Sequence, residues 1–576
     1  MSTTARTLLV GVALGLLSMN MAMSAEQELT LVRDGNPAAT IVLAEPAARA
    51  AQLGAYELQH HVKLITGATL PIVREPDTVT GTRVLVGESR ATHRLGVSPG
   101  KLSEQEYLIQ FLPDTLVLMG VDKADYGEVV YDAENLAVCK GFPGFFDEQG
   151  TMHAVYDFLR RYCGVRWFDS TELGMSYPET STLTVRGSEV QRKPFFRYRH
   201  SMGSSSSNPV FYDRGSTPWP TGTPEYQAWT DESYPGLRER YQNQRQFEAA
   251  RVTMSRLFLL RMGEGGAPAV CNHSLYGYYD RYLEQTWTDR LANAKDDKER
   301  EAILARKAQR FEGDHPEYFA QGYEGQPPQL CYTNPEVVKQ LAQDARDYYD
   351  EKSTGGEQGI FWNPTLPNPF PIEAMDGGGF CRCDRCRALY EKSAAERKEV
   401  YSTGHYSDYW FQFVNAVVKE LNKTHPDAKV ITLAYSGHAA APSFPVDPNV
   451  IIEFCMASTY APYSKANYEN DLQLLREWAN DGTNRDLYLW RYDAMAVYFG
   501  NNGKYHAFPE FFAHAIGEQM KLYHELGVKG MFYCGRPRGV DAYVAFRLMD
   551  DPTLQVGDLL NDYFTRMYGP AGEPMK

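Results

Sequence analysis

The sequence predicts an α/β protein in which a small α/β sandwich precedes a (β/α)8 barrel of TIM type. Three observations carry that prediction. Short apolar strands alternate with amphipathic helices, the rhythm changes after Pro194, and eight strand-like runs then follow in succession.

Residues 1–25 come before the folded part. Arg6 supplies a positive charge, Leu8–Leu17 an apolar core, and Met21–Ala25 a small-residue cleavage site. That apolar run is shorter than the roughly 20 residues that span a bilayer. It is expected to be a signal peptide, which exports the mature chain to the periplasm or the exterior. No later segment is apolar enough to cross a membrane.

From residue 26 to 190, Leu29–Val32, Thr40–Leu43, Arg83–Val86, Tyr107–Phe111 and Thr115–Met119 read as strands from their apolar, β-favouring content. Ala47–Thr66 has helical apolar spacing and is stopped by Gly67, and a second helix covers Met152–Tyr162. No phosphate-loop or dinucleotide fingerprint occurs among them.

From residue 195 to 576 the eight strand-like runs are Phe196–Met202, Ser255–Met262, Gln329–Thr333, Gly359–Asn363, Lys429–Tyr435, Val450–Met456, Leu487–Asp493 and Gly530–Cys534. Helices are expected at Leu237–Val252, Asp296–Phe311, Pro335–Tyr349, Asp384–Thr424, Tyr468–Ala479, Phe508–Leu526 and Val540–Leu548. The unit after Tyr435 lacks a clear helix. An amphipathic helix, Val556–Met567, comes last with nothing to cap it, leaving open whether the natural chain continues past residue 576.

Charge narrows the choice of partner. The net charge is −15, from 58 basic and 73 acidic residues with no basic block, which argues against nucleic acid or an anionic membrane. The 38 tyrosines offer flat rings with a polar tip, a form suited to stacking on sugar faces. No feature fixes the oligomeric state.

In such barrels the reactive groups sit at the C-terminal ends of the strands. Three carboxylates there are candidates for catalysis: Asp376 after the fourth predicted strand, Asp493 at the seventh, and Glu453 within the sixth. Two carboxyl groups across the mouth suit glycosidic cleavage, one protonating the leaving oxygen while the other attacks or activates water. No cofactor is required for that chemistry. His200 and His273 are placed to bond sugar hydroxyls or to orient a carboxylate. Trp362 and Trp490 are candidate stacking platforms, with Asn363 and Tyr435 beside them. Arg491 and Arg536 are positioned to pair with a substrate carboxylate, as in a uronic acid.

A cysteine cluster, Cys381, Cys383 and Cys386, follows Gly377–Gly379, and Cys331 on the third predicted strand is the expected fourth member. Cysteines one residue apart rarely bond each other without strain. The four thiols are expected either to hold a structural zinc or to form disulfides, and each arrangement would pin the loop that carries Asp376. Nine cysteines in total leave at least one unpaired in a single chain.

The motifs Ala55-Tyr-Glu-Leu58, Ile65-Thr-Gly-Ala-Thr-Leu-Pro71, Tyr156-Asp-Phe-Leu159 and Gly164-Val-Arg-Trp-Phe168 resemble the N-terminal domain shared by α-glucuronidases and β-N-acetylhexosaminidases. Asn272-His-Ser274, His315-Pro-Glu-Tyr-Phe319, Asp376-Gly-Gly-Gly-Phe-Cys-Arg-Cys-Asp-Arg-Cys386 and Leu487-Tyr-Leu-Trp490 resemble the barrel family called domain of unknown function 4838. The resemblance implies a glycosidase-type barrel acting on polysaccharide. With the signal peptide and the strand-end carboxylates, the expectation is an exported glycoside hydrolase acting on poly- or oligosaccharides, either uronic-acid-bearing or other complex glycans. A non-catalytic glycan-binding protein on a degenerate barrel is the alternative. Asp376 is followed by glycine, so the adjacent Asp-Glu pair of hexosaminidases is missing.

Overall fold

A computed structural model of the chain describes residues 26–75, 79, 81–201, 223–360, 364–391, 400–456, 464–493, 511–535 and 539–576. The expected signal peptide, Trp362, Asn363 and Arg536 lie outside the described residues. No helix among the described residues is long and apolar enough to cross a membrane.

The N-terminal part is built on strands β1 (Gln27–Arg33), β2 (Ala39–Leu43), β3 (Ile72–Arg74), β4 (Thr82–Val86), β5 (Tyr107–Leu112), β6 (Thr115–Gly120), β7 (Leu183–Gly187) and β8 (Val190–Arg192). Six of them form one sheet in the order β8-β5-β6-β4-β2-β3, while β1 pairs with β7. Helices α1 (Arg49–Thr66) and α2 (Gly150–Tyr162) cover one face of the larger sheet. Gly67 ends α1 because the chain turns left-handed there, at φ 75°, while its N–H bonds to the Lys63 carbonyl. Gly150 opens α2 where two backbones touch, and a Cβ would lie 2.6 Å from the Val121 nitrogen. All five strands and both helices expected in this region are present.

After Pro194 come β9 (Tyr198–Ser201), α3 (Gln244–Arg261), β10 (Gly265–Gly266), α4 (Asp297–Arg310), α5 (Pro335–Tyr349), β11 (Phe370–Pro371), α6 (Asp384–Tyr390), α7 (Ser407–Leu421), β12 (Val430–Ala434), β13 (Val450–Met456), α8 (Lys465–Ala479), β14 (Leu487–Arg491), α9 (Ala513–Glu525), β15 (Gly530–Tyr533), α10 (Gly539–Asp550) and α11 (Val556–Tyr568). The strands form one seven-stranded sheet, β10-β9-β15-β14-β13-β12-β11, parallel except where β10 meets β9. It is a half-barrel, and no strand pairing closes β11 onto β10 among the described residues. One rung runs from Gly266 through Tyr198, Gly530, Tyr488 and Glu453 to Leu433. Gly530 has to be glycine there, since a Cβ would sit 2.2 Å from the Tyr198 carbonyl oxygen. Side chains on the inner face, among them Tyr198, Ile431, Leu433, Cys455, Trp490 and Phe532, pack into a core of their own.

The eight-stranded count therefore needs correcting. Ser255–Met262 is helical and belongs to α3, which Asn243 caps by accepting from the Arg245 nitrogen. Its buried positions Phe247, Ala250, Met254, Leu257 and Phe258 follow helical spacing, and a short apolar run read alone does not separate the two periods. Gln329–Thr333 makes only the isolated bridge between Leu330 and Phe319, hemmed by Pro327-Pro328 and by Asn334, the cap of α5. Gly359 closes a short helix, Gly355–Gln358, in a left-handed turn. The expected helix Asp384–Thr424 is two helices, α6 and α7. The pairs Gly265–Gly266 and Phe370–Pro371 are strand residues that glycine and proline hid from the reading.

Buried ion pairs fasten the two parts together. Arg261 at the end of α3 binds Glu57 of α1 at 2.7 and 2.9 Å, and Arg192 binds Asp550 at 3.0 Å. Burial pushes both carboxyls upward, yet Arg261 on one, and Arg192 with Arg160 on the other, hold them well below the usual carboxylate range.

Candidate active site

The segment Phe370–Asp376 leaves the sheet as an irregular arm, and side chains rather than strand partners fix it. Glu373 is fully buried. Its Oε2 accepts from the Leu433 nitrogen at 2.9 Å and the Thr432 hydroxyl at 3.0 Å, and its Oε1 lies 3.0 Å from His438 Nε2. Ser274 clamps the same residue, its N–H donating to the Glu373 carbonyl and its hydroxyl accepting from the Glu373 N–H. Gln329 accepts from the Met375 nitrogen and donates to the Met375 and Gly377 carbonyls. These bonds set Asp376 and His273 side by side.

Asp376 is 64% exposed through its side chain, and His273 Nε2 lies 3.5 Å from its Oδ1. The Asp376 N–H donates to the Tyr276 hydroxyl. His273 Nδ1 is 2.7 Å from the Ala374 carbonyl, which only accepts, so the ring carries its proton there and turns Nε2 toward the carboxylate. The ring meets Tyr435 edge-on at 5.6 Å, and Tyr435 accepts a 2.6 Å hydrogen bond from Tyr401. The Tyr435 proton is thereby left to be donated elsewhere. A solvent-facing carboxylate, an imidazole with a fixed tautomer and two linked phenols can exchange protons and hydrogen bonds with a polyhydroxylated ligand.

The other expected site residues that the structure describes are buried and engaged within the protein. Asp493 is bound to Arg491 through two hydrogen bonds of 3.0 and 3.2 Å, and Arg491 is fully buried against Tyr523 and Tyr533. The arginine fork expected to meet a substrate carboxylate is therefore engaged by the aspartate two residues on. Glu453 is three residues below the end of β13, about 10 Å into the half-barrel. Burial, reinforced by nearby Glu373, raises its pKa well above the carboxylate range. His200 is buried, 3.1 Å from Glu264 and packed against Phe146. Trp490 is buried against Phe532 at 4.4 Å, so it fills the interior and offers no outer face for stacking. The structure brings together Asp376, His273 and Tyr435, and adds Tyr276 and Tyr401.

Cys331, Cys381, Cys383 and Cys386 converge behind this arm, all four sulfurs lying within 4.8 Å of one another. All nine cysteines are free thiols. A cavity of about 1570 Å³ opens at the opposite end of the sheet, where Arg197, Lys429 and Asp486 precede their strands. Two ion pairs line it, Lys429 with Asp486 at 2.7 Å and Arg197 with Glu104 at 2.9 Å.

The chain belongs to the family described as Domain of unknown function (DUF4838), which it matches over residues 170–576. No curated protein matches it. Among solved structures it is similar to a family GH115 4-O-methyl-α-glucuronidase, BtGH115A, with specificity for decorated arabinogalactans. The identity is 15% and the TM-score 0.48, over 95% of this chain and 61% of that one. It is also similar to CpGH89 from Clostridium perfringens in complex with GlcNAc-α-1,4-galactose, at 10% identity and a TM-score of 0.38, over 90% of this chain and 51% of that one. The chain thus spans about three fifths of the first structure and half of the second.

Proposed function

We propose that the protein is an exported glycoside hydrolase acting on complex glycans, with Asp376 as the reacting carboxylate and His273 as its proton-transfer partner. The observation that carries this reading is Asp376, open to solvent beside the half-buried His273 at the C-terminal side of the sheet, with Tyr435 alongside. The sequence motifs that resemble glycosidase domains point the same way. Asp493 and Glu453 act from further in. Asp493 holds Arg491 in place through two hydrogen bonds, and Glu453 is buried in the core, where its pKa is raised. With Arg491 committed to Asp493, no preference for uronic acids is assigned.

One observation favours a second reading, a glycan-binding protein without turnover. Of the three carboxylates expected to react, only Asp376 faces solvent. A panel of plant and bacterial polysaccharides, assayed for released sugar and for saturable binding, separates the two. Release that falls with Asp376→Asn supports the hydrolase. Saturable binding without release on every glycan supports the binding protein.

A further inference from the structure

We propose that Cys331, Cys381, Cys383 and Cys386 hold one structural zinc ion, independently of whether the mouth nearby turns over glycans. Four thiolates around zinc at about 2.3 Å in a tetrahedron stand about 3.8 Å from one another. Cys331 Sγ is 3.8 Å from Cys386 Sγ and 4.0 Å from Cys383 Sγ, and no pair in the set exceeds 4.8 Å. A disulfide joins sulfurs at about 2.05 Å in exclusive pairs, whereas here Cys331 Sγ lies within 4.0 Å of two others.

The surroundings fit thiolates. The Gln321 N–H donates to Cys381 Sγ at 3.3 Å, and the Tyr409 hydroxyl donates to Cys386 Sγ at 3.2 Å. The Thr333 hydroxyl lies 3.1 Å from the same Cys386 sulfur, with its proton free to turn toward it. Donors aimed at sulfur from a backbone amide and hydroxyls are the outer shell that steadies metal-bound thiolates. Three of the four cysteines are buried and Cys383 is half-buried, so four protein ligands fill a closed site with no open position. A closed all-cysteine site is structural rather than catalytic.

The backbone explains how the four sulfurs meet. Cys383 is the residue before α6 and Cys386 lies in its first turn, while Cys381 is five residues beyond Asp376, where the arm ends. Cys331 comes from the segment entering α5. The metal would replace the missing strand pairing there, tying the Asp376 arm to α5 and, through Tyr409, to α7.

The test is the metal content of the purified full-length chain by mass spectrometry, together with thiol alkylation after denaturation. The expected result is close to one zinc per chain and nine alkylated cysteines. Exchange with cobalt(II) should give the near-ultraviolet thiolate-to-metal charge-transfer band and the intense visible bands of a tetrahedral site. Cys386→Ser should lower the bound zinc at least tenfold. Zinc well below one per chain, iron in its place, or alkylation blocked at two or four of these cysteines by disulfides would overturn the assignment. The wild-type stoichiometry decides the matter even where the Cys386→Ser variant fails to fold.

Discussion

From β12 round to β9 the backbone groups of five parallel strands pair with one another, whereas side chains hold the wall beyond β11: Glu373 ties the arm back to β12, and Ser274, Gln329 and four cysteine thiols tie it to the segments between β10 and β11. A ladder satisfies its amides by repetition and leaves the side chains free to fill the core. An irregular wall needs a particular side chain for each amide, and those side chains hold individual residues at chosen positions. Asp376 and His273 stand on the side-chain-held wall. Arg491 and Asp493, at the end of a ladder strand, face each other and are buried.

Mutations can break or sharpen this contrast. The largest effect is expected from Glu373→Leu, which leaves the Leu433 N–H, the Thr432 hydroxyl and His438 without their shared buried acceptor. A loss of about 3–5 kcal/mol in urea-unfolding stability is expected. Next is Asp493→Asn, which removes the counter-charge of the fully buried Arg491 and should cost roughly 2–3 kcal/mol. The smallest is Ile452→Val inside the ladder, where no hydrogen bond changes and about 1 kcal/mol is expected. If Ile452→Val cost as much as Glu373→Leu, the two halves would not differ in the way described.

The joint between the two parts adds a pH dependence. Glu57 and Asp550 have pKa values depressed by their arginine partners, so each contributes stability that is complete above the unfolded-state value of about 4. That stability is lost as the pH falls below it toward the folded values. The melting temperature should therefore drop steeply below pH 4. In Glu57→Gln the drop should be shallower, measured by thermal denaturation between pH 7 and pH 3.

Legibility in the sequence follows the same division. Val430–Ala434 and Val450–Met456 are β-branched and apolar with no glycine or proline, so their periods are plain and the strands fall where expected. The irregular wall gave no such signal, because Gly265–Gly266 and Phe370–Pro371 read as turns and Ser255–Met262 is apolar enough to suit either period. Asp376 and His273, both expected in loops that follow strand-like runs, stand side by side, although the run before His273 is helical. Tyr276 and Tyr401 were missed, since long-range hydrogen bonds from loops leave no local pattern. The Arg491–Asp493 pairing did leave one, because residues two apart on an extended chain point to the same side.

Steady-state kinetics of Asp376→Asn beside Asp493→Asn, on a glycan that the wild-type chain cleaves, tests the central claim most directly. Asp376→Asn should lower kcat by about 100-fold or more with an unchanged melting temperature, since the side chain it alters is exposed. Asp493→Asn should act first on the melting temperature. Wild-type turnover in Asp376→Asn, with activity lost and stability kept in Asp493→Asn, would contradict the account and move the chemistry to the ladder side of the mouth.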